Sequence, residues 1–243
     1  MKVFELKLKN EGATLTVYLP DASREMPRMA IKPGILVIPG GAYCTCSDRE
    51  AEPIALAYAS KGFAAFVLRY TVGKGNCFEM PLADVNEAME IIHANAEEWG
   101  VNKEKIASIG FSAGGHLCAA LATMGEIRPN ASILVYPCIL ESISNILAFP
   151  VPSLDEKVDE KTPATFITAS REDTCVPIKH SLAYATALEK AEIPFEMHIF
   201  EKGYHGYSLA DWTVYSKSEE EYCEHLQCWF DLSIKWLCKR FEF

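Results

Sequence analysis

Residues 106–121, IASIGFSAGGHLCAAL, join two apolar runs through a serine that has a glycine two positions to either side. The first run is typical of a buried strand and the second of a buried helix. Where a strand turns directly into a helix, the corner residue adopts an unfavourable backbone geometry and its side chain stands above the sheet edge. A Cβ at Gly110 or Gly114 would collide with the neighbouring strand and helix. The pattern therefore predicts an exposed Ser112 hydroxyl at such a corner.

Two simpler explanations compete with this interpretation. Short glycine–serine patterns arise by chance, and phosphate-binding loops also contain them. The sequence has neither G-x-G-x-x-G nor G-x-x-x-x-G-K-[ST], the spacings that phosphate loops use. The flanking strand and helix favour a nucleophilic serine.

Apolar strands and amphipathic helices alternate along the rest of the chain. This alternation predicts an α/β fold with a mostly parallel, doubly wound sheet and helices on both faces, in a single domain over residues 1–243. Ser47 and Glu50 fit a capping box for the first helix, but Pro53 would then lie deep in the helix, so Glu52 is the alternative start. The irregular segment 148–163 lies between two strands and is a candidate to arch over a site. The predicted strands are 3–8, 15–19, the run GILVIPGG, 63–70, 106–111, 131–136, 164–168 and 195–200; the predicted helices are 47–59, 81–99, 113–124, 177–190 and 219–240.

Composition excludes several classes of partner. The formal net charge of −10 argues against a nucleic-acid partner, which requires a basic face. The first residues contain no uninterrupted apolar stretch, and no segment reaches the length of a membrane span, so we expect a cytoplasmic protein with no membrane partner. Nine cysteines then predict reduced thiols. Cys223, His225 and Cys228 do not predict a metal site, because Cys223 and His225 would point to nearly opposite sides of a helix.

A serine hydroxyl becomes a nucleophile only when a neighbouring imidazole removes its proton. His205 is the one histidine that occupies a glycine-bounded loop after the last predicted strand, where loops of a parallel sheet converge on a site. We therefore predict His205 as the base. The other histidines lie in predicted helices or a strand: His93, His116, His180, His198 and His225.

The base requires an acid that holds its working tautomer. Asp173 follows the apolar strand ATFIT in another loop at a carboxyl end, with Glu172 beside it as the main competitor. The order Ser112, Asp173, His205 matches the chain order of an α/β-hydrolase triad.

A tetrahedral oxyanion requires backbone donors near the serine. The Ala113 N–H stands at the start of the predicted helix and has no helical partner. The run VIPGGAY ends a buried strand in two glycines whose amides allow close approach of a ligand. We assign the oxyanion role to Gly41, Ala42 and Ala113, with a plain tight turn as the alternative for the glycines.

With these pieces in place, the chain resembles the α/β-hydrolase superfamily, specifically the small carboxylesterases grouped with hormone-sensitive-lipase-like and acetylxylan-esterase-like proteins. The matching motifs are IPGGAY, FVLRY, MPLADVNEAM, IGFSAGGHLCA, TPATFITASREDTCVP and FEMHIFEKGYHGYSL, which run in family order over roughly residues 34–209. The resemblance implies a Ser112–Asp173–His205 triad. Relatives often have a third glycine at position 42 and a histidine before the glycines, where this chain has Ala42 and Ile38-Pro39.

The resemblance implies a serine hydrolase that cleaves short-chain carboxylic esters through an acyl-enzyme, with no metal or organic cofactor. No large helical cap is expected, so the open site suits acetyl esters, including those of xylo-oligosaccharides. Tyr43 and Tyr204 are candidates to stack on a sugar ring, with core packing as the alternative. The rival functions are an arylformamidase-like or peptidase-like amide hydrolase, and a non-catalytic homologue that binds a carbohydrate or a partner.

Overall fold

A computed structural model describes residues 1–214 and 224–243. The strands are β1 (Lys2–Lys7), β2 (Thr14–Leu19), β3 (Lys32–Ile38), β4 (Ala64–Arg69), β5 (Val101–Phe111), β6 (Ala131–Val135), β7 (Thr165–Ser170) and β8 (Phe195–Phe200). They form one sheet in the spatial order β1-β2-β4-β3-β5-β6-β7-β8. β2 is antiparallel to both of its neighbours, β1 and β4, and β3 to β8 are parallel to one another.

Helices cover both faces of the sheet, and each face has its own apolar cluster. The helices of the described residues are α1 (Glu52–Ala59), α2 (Glu79–Ala94), α3 (Ala96–Trp99), α4 (Ser112–Met124), α5 (Lys179–Lys190) and α6 (Cys228–Phe241). One cluster contains side chains of α2 to α5, and the other contains side chains of α1 and α6. The predicted class, a mostly parallel sheet with helices on both faces, is therefore confirmed.

The sheet register brings the carboxyl ends of the central strands side by side. Ile38 at the end of β3 pairs with Gly110, and Phe111 at the end of β5 pairs with Val135 of β6. Ser170 at the end of β7 pairs with Phe200 at the end of β8. The loops that follow β3, β5, β6, β7 and β8 therefore meet at one edge of the sheet, as expected for a parallel arrangement.

The predicted capping box does not form. Ser47 makes no capping hydrogen bond, and α1 begins after a short 3₁₀ turn at Glu52, the alternative start that Pro53 indicated. The Glu50 side chain turns inward and is only 3% exposed.

The last helix is predicted to begin at residue 219, but residues 215–223 lie outside the described part of the chain. The described part of this predicted helix is a 3₁₀ turn, Glu224–Gln227, followed by α6.

The connection from β6 to β7 carries no large cap, since its only described helical elements are the 3₁₀ turns Glu141–Ile146 and Asp155–Lys157. Within the described residues, no helix has both the length and the apolar character needed to cross a membrane.

Candidate active site

Ser112 is the first residue of α4, directly after β5, and it has a φ of 52°. This is the left-handed region, which is unfavourable for a residue with a side chain. The flanking glycines are required for steric reasons: a Cβ on Gly110 would collide with the Gly114 carbonyl oxygen, and a Cβ on Gly114 would collide with the carbonyls of Ile38 and Pro39. The predicted strand-to-helix corner is therefore present, with the backbone packed tightly around it.

The structure brings Ser112, His205 and Asp173 into one hydrogen-bonded chain. The distance from His205 Nε2 to Ser112 Oγ is 2.8 Å, and from His205 Nδ1 to Asp173 Oδ2 it is 2.7 Å. Because a carboxylate only accepts, Nδ1 carries the proton and Nε2 presents its lone pair to the serine hydroxyl. This tautomer is the one in which the imidazole can remove the serine proton.

The Asp173 carboxylate is held firmly in place. The residue is 5% exposed, and its other oxygen accepts the backbone N–H groups of Cys175 and Val176, each at 2.9 Å. These two bonds orient the carboxylate toward His205. Glu172, the competing acid in the sequence, is exposed.

In the loop after β3, Gly41 and Ala42 have engaged carbonyls and free amides. The Gly41 carbonyl accepts the N–H groups of Cys44 and Thr45, and the Ala42 carbonyl accepts that of Ala148. In the described part of the chain, the Gly41 and Ala42 N–H groups donate to no atom. Gly41 and Ala42 line the same cavity as Ser112, and Ala113 is the second residue of α4, where an N–H lacks a helical partner.

The cavity at Ser112 has a volume of about 200 Å³. Besides Ser112 and His205, it is lined by residues of the loop after β3 and of the His205 loop (Gly41, Ala42, Ser47, Arg49, Glu50 and Gly206) and by four further residues, Cys138, Ile146, Leu147 and Cys175. Sequence reasoning did not identify these four side chains, because they come from irregular connections with no periodic pattern. Burial raises the pKa of the Cys138 thiol to about 12, so it stays neutral and does not compete with Ser112 as a nucleophile.

Segment 148–163 does not line this cavity; the residues just before it, Ile146 and Leu147, do. The segment packs instead behind the glycine loop, where Phe149 contacts the Tyr43 ring and the Pro152 carbonyl bonds to His116. A larger open groove of about 620 Å³ involves Phe149 and Val151 but shares no lining residue with the Ser112 cavity.

The sugar-stacking interpretation of Tyr43 is wrong. Tyr43 is fully buried, its hydroxyl bonds to His116 Nδ1 at 2.9 Å, and its ring packs against Tyr70 and Phe149. It has no exposed face for a substrate because the chain behind the glycine loop covers it. Tyr204 is half-buried, packs against the apolar cluster of α1 and α6, and is not among the residues that line the cavity.

His116 and His180 belong to the structure around the site. Burial lowers the pKa of each imidazole to about 4. His180 Nδ1 accepts the N–H groups of Ile139 and Leu140, and His116 Nε2 bonds to the Pro152 carbonyl. Both imidazoles therefore act as neutral hydrogen-bonding groups that hold irregular segments near the cavity.

No group of three or more potential metal-binding side chains occurs within residues 1–214 and 224–243. Of the set excluded on helical geometry, Cys223 lies outside the described residues. The described site thus consists of a serine, an imidazole, a carboxylate and free backbone amides. Hydrolases that attack a carbonyl through an activated serine use this arrangement.

Comparison with known proteins agrees with this class. Residues 15–134 match the BD-FAE family, and residues 148–235 match the prolyl oligopeptidase family. The crystal structure of MGS-M1, an α/β-hydrolase enzyme from a Medee basin deep-sea metagenome library, is 44% identical with a TM-score of 0.94, over 100% of this chain and 99% of that one. The chain belongs to the α/β-hydrolase family.

Two curated relatives are larger proteins. Endo-1,4-beta-xylanase B of Butyrivibrio fibrisolvens is 34% identical over 75% of this chain and 33% of its own length. Acetylxylan esterase of Xylanibacter ruminicola is 30% identical over 88% of this chain and 48% of its own length. This chain therefore spans between a third and a half of the curated relatives that it matches.

Proposed function

We propose that this protein hydrolyses short-chain carboxylic esters, with acetyl esters as the preferred class, through an acyl-enzyme on Ser112. The hydrogen-bonded chain from Ser112 through His205 to Asp173 is the observation that carries the proposal. The similarity to an acetylxylan esterase supports esters of acetylated sugars as substrates. The small cavity supports a short acyl group.

In the first half of the proposed reaction, His205 Nε2 takes the Ser112 proton as the serine oxygen attacks the ester carbonyl. The developing oxyanion is stabilised by the N–H groups of Gly41, Ala42 and Ala113. His205 then gives the proton to the departing alcohol. Water repeats the sequence and releases the acid. Protonation of His205 removes the base, so the rate should fall in acid.

The acyl group is proposed to lie against Cys138, Ile146, Leu147 and Cys175, four of the residues that line the cavity. A cavity of about 200 Å³ holds an acetyl group with part of the alcohol, while a long acyl chain would have to leave through the mouth. Ile146 is 43% exposed and stands at this mouth.

The test is a substrate panel. With 4-nitrophenyl acetate, butyrate and octanoate, kcat/KM should decline as the chain lengthens, and acetylated xylo-oligosaccharides should release acetate. A fluorophosphonate probe should label the wild type and a Ser60→Ala control but not Ser112→Ala; Ser60 is exposed and distant in sequence. Faster turnover of the octanoate than of the acetate would contradict the proposed preference for short acyl groups. Labelling of Ser112→Ala would contradict the proposed role of Ser112 as nucleophile.

Amide hydrolysis is the second candidate, because residues 148–235 match the prolyl oligopeptidase family. The panel should therefore include formylkynurenine and an aminoacyl anilide. Higher kcat/KM for either amide than for acetyl esters would replace the ester proposal.

A further inference from the structure

Glu50 is a buried carboxylate in the active-site cavity that the proposed mechanism does not use. The residue is 3% exposed and lines the same cavity as Ser112 and His205. Burial of a carboxylate is costly unless donors satisfy it. Two donors reach it: the Gly40 N–H bonds to Oε2 at 2.8 Å, and the Tyr136 hydroxyl bonds to Oε1 at 2.8 Å. Each oxygen of the Glu50 carboxylate thus accepts a hydrogen bond from a different loop.

The Gly40 bond acts on the loop that carries the free amides. Gly41 and Ala42 follow immediately, with φ values of 125° and 56°, so the backbone is in an uncommon conformation that needs support. A Cβ on Gly40 would lie 2.8 Å from Glu50 Oε2 and 2.9 Å from Ser112 Cβ. Glu50 and Ser112 therefore both contact Gly40 closely and leave no room for a side chain at this position.

The Tyr136 bond acts on the loop that carries the imidazole. The Tyr136 hydroxyl accepts the Ser208 N–H at 3.0 Å, and its ring lies 5.0 Å from that of His205 in an edge-on contact. The Ser208 hydroxyl in turn donates to the Arg49 carbonyl, next to Glu50. Tyr136 itself has a φ of 38°, again an uncommon conformation.

We propose that Glu50 is a positioning residue for the hydrolytic site. Through Gly40 it fixes the direction of the Gly41 and Ala42 amides, and through Tyr136 and Ser208 it fixes the loop of His205. One side chain thereby sets the distance between the oxyanion donors and the base. This inference rests on the proposed hydrolysis and adds to it the group that aligns its two halves.

A glutamine at position 50 cannot accept from both partners. If its amide oxygen accepts from Gly40, its NH₂ group faces the Tyr136 hydroxyl, which already accepts the Ser208 N–H and loses the acceptor for its own proton. Glu50→Gln is therefore a nearly isosteric change that replaces the charged bond at one end of the link with a reversed, weaker one. Displacement of oxyanion donors by a fraction of an ångström lowers kcat, because their bonds strengthen only in the transition state.

The experiment compares Glu50→Gln with Glu52→Gln, an exposed glutamate two residues further along the chain. With 4-nitrophenyl acetate, Glu50→Gln should lower kcat by about 10- to 100-fold and leave KM within about twofold. A trifluoromethyl ketone, which forms a tetrahedral oxyanion on the serine, should lose affinity by a similar factor. Glu52→Gln should match the wild type in all three quantities.

An unchanged kcat, or a kcat loss without a parallel loss of ketone affinity, would overturn the role of Glu50. If Glu50→Gln does not fold, as judged by thermal unfolding, Tyr136→Phe decides the question in the same way: a parallel loss of kcat and ketone affinity supports the link, and retention of both overturns it. A wild type that hydrolyses neither esters nor amides would instead remove the proposed function.

Discussion

The two ends of the parallel sheet place their backbone strain on different residues. At the carboxyl end, six of the described residues with side chains have positive φ: Ala42, Tyr43, Ser112, Tyr136, Ser208 and Ala210. At the amino end, the turns that lead into β4 and β5 use Gly62 and Gly100, and the turn into β8 uses the exposed Glu192. Positive φ costs glycine little but costs other residues roughly 1–2 kcal/mol each.

This difference indicates where other contacts must compensate for backbone strain. Strained residues persist only where surrounding contacts over-determine them. At the carboxyl end such contacts are the bonds of Glu50 to Gly40 and Tyr136 and the bond of Tyr43 to His116. The turns into β4 and β5 at the amino end carry positive φ on glycine and need no such contacts to support it. Changes at the two ends should therefore have unequal effects.

The largest effect is expected at the carboxyl end, from Asp173→Asn. An asparagine can donate to His205 Nδ1 and so favours the wrong tautomer; we expect kcat to fall by roughly 10³- to 10⁴-fold with little change in fold. The measurement is kcat for 4-nitrophenyl acetate together with thermal unfolding. Glu172→Gln, one residue away and exposed, is the control. Equal losses in both variants would contradict the assignment of the acid.

Two glycine substitutions compare the ends directly. Gly114→Ala places a methyl group against the carbonyls of Ile38 and Pro39, and because these are backbone atoms we expect a loss of about 3 kcal/mol or more in unfolding free energy. Gly62→Ala, in the turn that leads into β4 at the amino end, meets only the flexible Met29 side chain at 3.4 Å and should lose about 1 kcal/mol for its φ of 94°. Urea denaturation of both variants checks this, and similar losses would show that crowding at the corner is unimportant.

Acid should weaken the network behind the glycine loop. Burial lowers the pKa of His116 from its ordinary 6.5 to about 4, so the unfolded chain takes up a proton before the folded chain does. The folded state therefore loses up to about 3 kcal/mol as the pH falls from 6.5 to 4.

Urea denaturation at a series of pH values should show this slope in the wild type. His116→Asn, which cannot titrate, should have a shallower slope over the same interval, although it is less stable at pH 7. Parallel pH curves for the two proteins would exclude His116 as the source.

The smallest effect is expected from Ala42→Gly. Glycine relieves the strain at a φ of 56° but adds freedom to the unfolded chain, and the two terms nearly cancel. We expect a change in unfolding free energy within about 0.5 kcal/mol and a kcat close to that of the wild type, because the N–H is retained. A kcat loss of tenfold would indicate that the Ala42 methyl group holds the loop.

The sequence predicts the serine corner and the loops of His205 and Asp173 because these features depend on local signals. Gly110 and Gly114 bracket the serine within one short motif, and His205 and Asp173 each follow an apolar strand in a loop. In a parallel sheet, such loops must meet at one edge. Local pattern and topology together were sufficient to place these three side chains in one site.

The burial of Tyr43 and the role of Glu50 were not predictable in this way. The partner of Tyr43 is His116, 73 residues away, and one partner of Glu50 is Tyr136, 86 residues away. Glu50 is the last residue of the motif SDRE, which local sequence preferences predict to be a helix cap. Only the folded structure shows that its carboxylate is buried. Contacts over such separations leave no periodic trace in a single sequence.

The surroundings of Ser112 differ in how much substitution they tolerate. A Cβ at Gly114 would meet the main-chain carbonyls of Ile38 and Pro39, and one at Gly40 would meet the Phe111 carbonyl oxygen, obstacles that cannot move aside. The lining residues Cys138, Ile146, Leu147 and Cys175 carry side chains that substitution can shorten or extend. Redesign of the cavity for other acyl groups should therefore begin at these four positions and leave the serine corner unchanged.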